Sequence, residues 1–531
     1  MLLDLLEELK SADPQSLINA SLLVGVSVGV FYFILYPLYF HPLSKIPGPT
    51  ICALTKYYIL YKSWSEQRNR YVQSLHEKYG SIVRIGPNEV DISDVAYIKD
   101  IYIGDYDKSS FYTQFSNYGS NNTFSTVDKK EHIASRKVSH RFYSKSNICS
   151  DNVMSKVEKV IGDTLLAFEK YNDKSIDVFS LFCDMAMDAV TSFSFGKDNY
   201  ESLLKDPFGA GMLVVENFSR QSEPWFWTTQ MPQWYDWVVS DKIKLASQKC
   251  YDWIERQFLI SLNNLEETID SNEETLLTVY YDFDRLSGKP VQKTSIFNEQ
   301  RTKSEFFDHI AAGHVTTATT MAFMFYELAK YPEIQVKLQE EIITKLNAGN
   351  FIPTSDITPF KYSLIDDETL LPYMHAVIFE TFRVHAAIPG QEPRIVPSKG
   401  LLFRGNDIVS ACKIPAGTTV VMQPWSLHRV STVFPDPEEF IPQRWLDAGE
   451  EQLKVMKSHL FHFGSGARMC IGLNLAAAEI KMITASLTAR YRIELDNDFD
   501  YARDGEMLDI YTTLPRSEKM VLKFSPLVSS S

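Results

Sequence analysis

The stretch FGSGARMCIG, residues 463–472, runs directly into LNLAAAEIKMITASL at 473–487. One thiol, Cys470, sits among Gly464, Gly466 and Gly472, with Phe463 opening the stretch and Arg468 two residues before the cysteine. The next segment is apolar and alanine-rich, so a helix is expected from about Ile471. Gly466 and Gly472 permit a loop tight enough to aim backbone N–H groups at the sulfur, because glycine tolerates positive φ. The helix adds the positive end of its dipole. Such surroundings lower a thiol's pKa and suit it to metal ligation.

Arg468 is suited to pairing with a second anion, such as a carboxylate on a bound cofactor, rather than to balancing a thiolate by contact. A single cysteine as the only protein ligand, beside a carboxylate-bearing cofactor, points to haem with an axial thiolate. The plain alternative is a glycine turn ahead of a helix with a buried, inert cysteine, the usual fate of a free Cys.

The chain has 531 residues, a formal net charge of -14 and 45 % hydrophobic residues. It can bury a large core, and length alone suggests more than one domain. The acidic balance argues against a nucleic-acid partner. Cys52, Cys149, Cys183, Cys250, Cys412 and Cys470 are scattered, with no CxxC pair. That pattern argues against a zinc ribbon, a thioredoxin-type site or a disulfide framework, and for a reducing, cytosol-facing body.

From Pro14 to Ser44 there is no Asp, Glu, Lys or Arg. Its centre, SLLVGVSVGVFYFILYPLYF, is long enough to cross a bilayer core of about 30 Å as a helix. A buried core helix would share the composition, but not so uniformly at the extreme N-terminus. Tyr32, Tyr36 and Tyr39 are placed for an aromatic belt, and Lys45, Lys56, Lys62, Arg68 and Arg70 come after them. This basic flank favours a cytosolic location for everything after the anchor. HPLSKIPGP then makes a stiff, non-helical connector. The expected division is a membrane anchor at 1–44, with its transmembrane helix at about 17–40, a proline-rich connector at 45–60 and one catalytic domain at 61–531.

SIVRIGPNEVDISD alternates apolar and polar residues around Gly-Pro, which predicts a hairpin. TTVVMQP from Thr418 and KMVLKFSPL from Lys519 read as strands. Most segments after Val127 have helical periodicity, while Glu266–Arg301 reads as a charged, irregular connection. The fold class is therefore mainly α with small β-sheets, preceded by one transmembrane helix.

The positions Phe463, Gly466, Arg468, Cys470 and Gly472 resemble the haem-binding loop of the cytochrome P450 family at every defining residue. ETFR at 380–383 resembles that family's ExxR, FIPQRW at 440–445 its arginine-bearing partner, and AGHVTT at 312–317 its distal-helix motif. YFHPLSKIPGP and HEKYGSIVRIGPNEV resemble the N-terminal parts of membrane-bound fungal members. The resemblance covers nearly the whole chain and overrides the length argument for several domains, since the family's catalytic body is one domain.

Glu380 and Arg383 stand one helical turn apart on an otherwise apolar helix. Exposed, such a pair is worth about 0.3–0.5 kcal/mol. Buried, it needs further partners, and Arg444 is the candidate. The resemblance implies a fixed structural network of these three behind the haem.

SEFFDHIAAGHVTTATTMAFMFYELAKYP is a long apolar helix, with Thr302 and Glu305 spaced as a capping box. Ala311, Ala312 and Gly313 leave space for something bulky, and a mid-helix glycine suggests a close approach or a local widening. The resemblance implies that dioxygen uses this gap and that Thr316 steers protons, with Thr317 beside it. The plain reading of Thr316 is a hydroxyl bonded back to its own helix. The position before it, commonly acidic in the family, is Val315 here. Protons must then come by water, by Thr316 and Thr317, or from a nearby group; His314 is adjacent but points about 100° around the helix, which ranks it below water.

In VDKKEHIASRKVSHRFYSKSN, Lys130, Lys137 and Arg141 fall on one helical stripe and His132 and Arg136 on the opposite one. A solvated charge face is the plain reading. The resemblance implies that His132, Arg136 and Arg394 meet haem propionates, and that the outer stripe meets an acidic electron donor. EPWFWTTQMPQWYDW is too aromatic to bury together and suggests a second membrane contact. Phe111, Ala312 and Ile388 are expected to line an apolar substrate pocket.

The family's implied activity is insertion of one oxygen atom from O2 into a small apolar substrate, in fungal secondary metabolism or detoxification. Its cofactor is haem (iron protoporphyrin IX). Electrons come from NADPH through NADPH-cytochrome P450 reductase, with cytochrome b5 as a further donor. The implied location is the endoplasmic reticulum membrane, single-pass, with the catalytic domain cytosolic and no nucleic acid involved. The alternatives are a haem-thiolate isomerase or dehydratase working without reductase, and a non-catalytic haem-binding membrane protein.

Overall fold

A computed structural model describes residues 13–104, 106–271, 273–286, 300–350 and 352–527. Six helices anchor the chain or frame its site: α1 (Pro14–Val30), α2 (Lys129–Ser139), α3 (Val178–Phe195), α4 (Gln300–Lys330), α5 (Pro372–Val384) and α6 (Leu473–Thr488). The strands are β1 (Ile82–Gly86), β2 (Glu89–Ile92), β3 (Asp107–Lys108), β4 (Ser175–Asp177), β5 (Arg394–Ile395), β6 (Leu401–Phe403), β7 (Cys412–Ile414), β8 (Thr419–Val421), β9 (Tyr491–Leu495) and β10 (Val521–Pro526). Helices dominate, and the strands form three small sheets.

The apolar span Ile18–Phe40 has a mean hydropathy of 2.1 and none of it is buried in the protein. Beyond Val30 the helix continues in wider π-helical turns over Phe31–Phe40, which contain Pro37. Proline has no N–H to donate and its ring crowds the carbonyl four residues back. The Pro37 carbonyl is instead taken by Arg84 Nη1 at 2.8 Å. The same guanidinium donates to Gly86 O and Pro87 O at 3.3 and 2.7 Å, so the hairpin grips the base of the anchor. In the connector, a Cβ at Gly48 would stand 2.3 Å from Arg84 O, so only glycine lets the chain pass β1 there.

The expected hairpin is β1–β2, antiparallel with an irregularity between Arg84 and Gly86. The five-stranded sheet runs β1-β2-β8-β5-β3. Its β3–β5 register sets Lys108 opposite Arg394, side by side in a buried layer. The second sheet, β4-β10-β9, closes around the C-terminal strand, and β6 pairs with β7.

α3 is also long and apolar enough to cross a membrane, but 94 % of its apolar window is buried, and it lies along α4 in the main core. Gly313 makes this packing possible. A Cβ there would meet Val190 Cγ2 at 3.0 Å, so the glycine serves the close approach of α3 and not a gap on the other face.

Two expectations are corrected. Glu266–Arg301 is not wholly irregular: Leu265–Asp270 and Leu276–Leu286 are helices, and 287–299 lie outside the described residues. Thr302 does not cap the distal helix, because α4 already runs from Gln300. Glu305 Oε1 accepts instead from Thr123 Oγ1 and Ser135 Oγ at 2.9 and 2.7 Å, tying α4 to α2.

Candidate functional site

The 463–472 loop closes on itself before α6 begins. Cys470 N donates to Phe463 O at 2.9 Å, and Met469 N to Gly466 O at 3.1 Å. Gly464 and Gly466 have φ of +67° and +71°. At Gly466 a Cβ would also lie 2.2 Å from Tyr102 O, so conformation and space both demand glycine. Gly472 differs from the expectation: its φ is -79°, and its value lies in leaving the flank of the sulfur open, since a Cβ would stand 4.0 Å from Cys470 Sγ.

The Cys470 side chain is exposed by area yet has protein on most sides, so it forms part of the wall of an internal recess. The N–H groups of Gly472 and Leu473 and the Arg136 charge favour the thiolate, but burial outweighs them and the thiol pKa is raised. The loop therefore does not by itself lower the pKa as expected. Metal coordination would supply that, since a coordinating thiol is deprotonated outright.

Behind the loop, Glu380 and Arg383 on α5 are fully buried. Arg383 Nε and Nη2 reach the two Glu380 oxygens at 2.9 and 2.8 Å. Arg444 Nε adds a bond to Glu380 Oε1 at 3.1 Å. Two further donors went unseen in the sequence: Ile441 N to Oε1 at 2.8 Å and Trp445 Nε1 to Oε2 at 2.9 Å. Arg383 also donates to the carbonyls of His428, Pro437 and Glu439. The network holds the loop through His428, whose Nε2 accepts from Phe461 N at 2.8 Å while Nδ1 donates to Arg383 O at 3.1 Å. Phe382 stacks on His462 at 4.1 Å.

Cations converge beside the recess. Arg468 donates to Thr126 O and, at 2.7 Å, to Val127 O. Arg394 Nη1 donates to Tyr112 OH at 3.0 Å, and its Nη2 lies 3.7 Å from Glu392. His132 is buried, and its Nδ1 has no hydrogen-bond partner among the described residues. Lys108, missed in the sequence, is buried opposite Arg394, donates to Phe124 O at 2.6 Å and lies 3.9 Å from the ring centres of Tyr112 and Phe124.

Burial first and neighbouring cations second push three of these groups toward neutrality, whereas Arg394 is raised, its burial outweighed by Tyr112, Tyr102 and Glu392. His132 is lowered to about 3, Arg468 to about 10, and Lys108 well below its ordinary value. Glu392 is the carboxylate that offsets Arg394 and Lys108. Uncompensated buried cations cost several kcal/mol each, roughly, so this surplus and the orphaned His132 nitrogen fit a dianionic ligand. Haem, with two propionates and an iron for Cys470, meets that demand. Cys470, His132, Arg136, Arg394 and Arg468 would hold it, with Lys108 as the addition.

α4 provides the opposite wall. Ala312 is exposed and Asp308, Ala311, Val315 and Thr316 are half-exposed in the middle of an otherwise buried helix, so this stripe opens on the recess. Thr316 Oγ1 donates to Ala312 O at 2.8 Å. Thr317 is buried on the other side of the helix and does not reach the recess. His314 also turns away: its ring meets Phe218 at 5.1 Å, Nδ1 bonds Ile310 O, and burial lowers its pKa to about 4. It is therefore not placed to relay protons.

Phe111 is half-buried in an aromatic group, with ring centres 5.4 Å from Tyr511 and 5.7 Å from Phe115, and Ile388 is half-buried after α5. On α2, Lys130, Lys137 and, just beyond its end, Arg141 are exposed, while Arg136 is half-buried. The Trp-rich segment divides: Phe226 is buried and Trp225 and Trp227 are half-buried, whereas Trp234, Trp237 and Val238 are exposed.

Similar proteins agree with this architecture. The chain is 28 % identical over 472 residues to cytochrome P450 monooxygenase orf2 of Aspergillus niger, covering 86 % of this chain and 88 % of that one. It is 27 % identical over 498 residues to cytochrome P450 monooxygenase TRI4 of Fusarium sporotrichioides, covering 89 % and 90 %. It is 26 % identical over 486 residues to the fusicoccadiene C-8 hydroxylase of Phomopsis amygdali, covering 88 % of both. Residues 46–512 match the family model described as Cytochrome P450, and the chain therefore belongs to the cytochrome P450 family, whose cofactor is haem.

Proposed function

We propose that this chain is a haem-thiolate monooxygenase, anchored in the endoplasmic reticulum membrane by its N-terminal helix, that inserts one oxygen atom of O2 into an apolar organic substrate. The observation that carries the reading is the recess itself: a thiol on one wall, the Ala312–Thr316 stripe opposite, and a desolvated surplus of cations at its side. The haem supplies oxygen activation when bound. The protein holds it, excludes water and positions the Thr316 hydroxyl. Exposed Lys130, Lys137 and Arg141 suit an acidic donor surface, and NADPH-cytochrome P450 reductase, with cytochrome b5, is the proposed partner. The fungal relatives named as monooxygenases and hydroxylases favour a role in secondary metabolism.

Thr316→Ala tests the reading. Val315 offers no acid, so the threonine hydroxyl and water bear the relay, and acid–base groups contribute about 10²–10⁴-fold. The variant is expected to consume NADPH with reductase present while releasing peroxide in place of oxygenated product. Full coupling in the variant places the proton path elsewhere. Product from wild type without any reductase supports instead an isomerase or dehydratase, which Val315 favours.

A second membrane contact is proposed at Trp234, Trp237 and Val238, with Tyr57, Tyr61 and Trp64 as further exposed aromatics. Deleting residues 1–44 removes one of the three carbonyl partners of Arg84, a loss of about 1 kcal/mol, and the fully buried Leu43 side chain, a loss of about 2–5 kcal/mol. The truncated protein should still load haem and remain partly with membranes in both low and high salt. Complete recovery in the soluble fraction overturns the second contact.

A further inference from the structure

Two carboxyl groups one turn apart on α3 face the chain segment 202–211, and only one of them is satisfied. Ser202 Oγ donates to Asp188 Oδ2 at 2.5 Å, Leu203 N to Oδ1 at 2.8 Å and Leu204 N to Oδ2 at 3.2 Å. Asp184 is 0 % exposed, and neither of its oxygens has a hydrogen-bond partner among the described residues. A Cβ at Gly211 would stand 2.9 Å from Leu203 O and 3.0 and 3.1 Å from the two Asp184 oxygens, so the carbonyl and the carboxyl group meet around one point. Leu203 O accepts from Asp206 N at 3.1 Å, which leaves its second lone pair for another donor.

The charges around Asp184 oppose its ionisation. They are Asp188 on the same face, Asp177 at the N-cap of α3 and Asp206 from the segment itself. All three are carboxylates, and no cation offsets them. From the helix Asp151–Glu169, Asp163 adds its charge at Asp188. An unpaired buried charge is costly, whereas a protonated carboxyl is neutral and carries one O–H donor.

We propose that Asp184 is a pH-sensitive clasp: its protonated carboxyl donates to Leu203 O and holds residues 203–211 on α3, and loss of that proton to solvent releases the segment. The segment feeds the helix Met212–Ser222, and beyond it Trp225–Thr229 packs against the Ser110–Phe115 turn that carries Phe111. Release loosens the cover of that turn and the exposed Trp234 and Trp237 that follow. Burial first, then Asp188, Asp177 and Asp206, raise Asp184 well above the ordinary carboxylate range, and burial raises Asp188 to about 7. While the segment is closed, Asp184 keeps a proton that the opened, solvated carboxyl has lost. Opening becomes easier as pH rises from the ordinary carboxylate pKa to the raised one, by up to about tenfold per pH unit.

The test is hydrogen–deuterium exchange on the haem-loaded full chain at pH 6, 7 and 8, corrected for intrinsic exchange rates, with Asp184→Asn as the comparison. Asparagine keeps the shape of the side chain and offers Leu203 O an N–H donor at every pH. From pH 6 to pH 8 the wild type is expected to lose protection at residues 203–211 by a factor at least about tenfold larger than the variant does. Protection in β9 and β10 should show no such difference. Equal pH dependence in the two proteins overturns the proposal. A difference spread evenly over α3, β9 and β10 also overturns it, because that is global destabilisation and not release of one segment. If the variant fails to fold, the wild type decides: protection at 203–211 that falls at least about tenfold more than that of β9 and β10 supports the clasp, and a smaller or absent local fall overturns it.

Discussion

Cys470→Ala abolishes the red-shifted thiolate Soret band of the reduced, carbon-monoxide-treated protein. The other cysteines cannot substitute. Cys183 and Cys250 lie in the main apolar core, and Cys52 is fully buried elsewhere. Burial raises Cys52 to about 11, Cys250 to about 12 and Cys183 well above its ordinary value. Cys149 is exposed and Cys412 sits in the small β6–β7 sheet, outside the loop that aims two N–H groups at the Cys470 sulfur. Loss of the band with soluble, folded protein is the expected result, read by difference spectroscopy and far-ultraviolet circular dichroism together. Retention of the band in the variant overturns the assignment of Cys470.

Glu380→Ala is expected to be the most destabilising single change. Its two oxygens receive bonds from Arg383, Arg444, Trp445 and Ile441 N, all in the interior. Truncation leaves the Arg383 guanidinium fully buried without its counter-charge. Breaking one partner out of a buried pair costs about 3–5 kcal/mol, against a total stability of about 5–15 kcal/mol for a folded protein. Because Arg383 O and Phe461 N meet on the same imidazole of His428, loss of the network also frees the cysteine loop. The variant should unfold at lower denaturant and retain much less haem than wild type. Glu380→Gln, which keeps one acceptor oxygen but loses the charge and sets an NH2 against the donors of the other, should fall between them. Equal haem content and an equal unfolding midpoint for Glu380→Ala and wild type would falsify the structural role.

Much of this protein is written in short windows of its sequence. Two residues with positive φ and the close approach to Tyr102 make the 463–472 loop readable from its glycines, and the i, i+3 spacing of Glu380 and Arg383 puts them on one face before any packing is known. The apolar span to Phe40 and the β1–β2 hairpin are likewise local, set by composition and by a Gly-Pro turn. Tertiary structure decided what depends on residues far apart in the chain. Lys108 joined the cation group only because a two-residue strand pairs with Arg394 across the fold, a register that two residues cannot announce. Trp445 and Ile441 N complete Glu380 because their loop packs over α5. Gly313 read as part of the oxygen side until α3 occupied its face, whereas His314, which helix geometry already turned aside, packs against Phe218. Helical periodicity fixes which residues share a stripe, but only the neighbouring elements decide which stripe meets core and which meets the recess. That is why Asp184 is one polar residue among many in the sequence and an unpartnered carboxyl group in the interior of the folded protein.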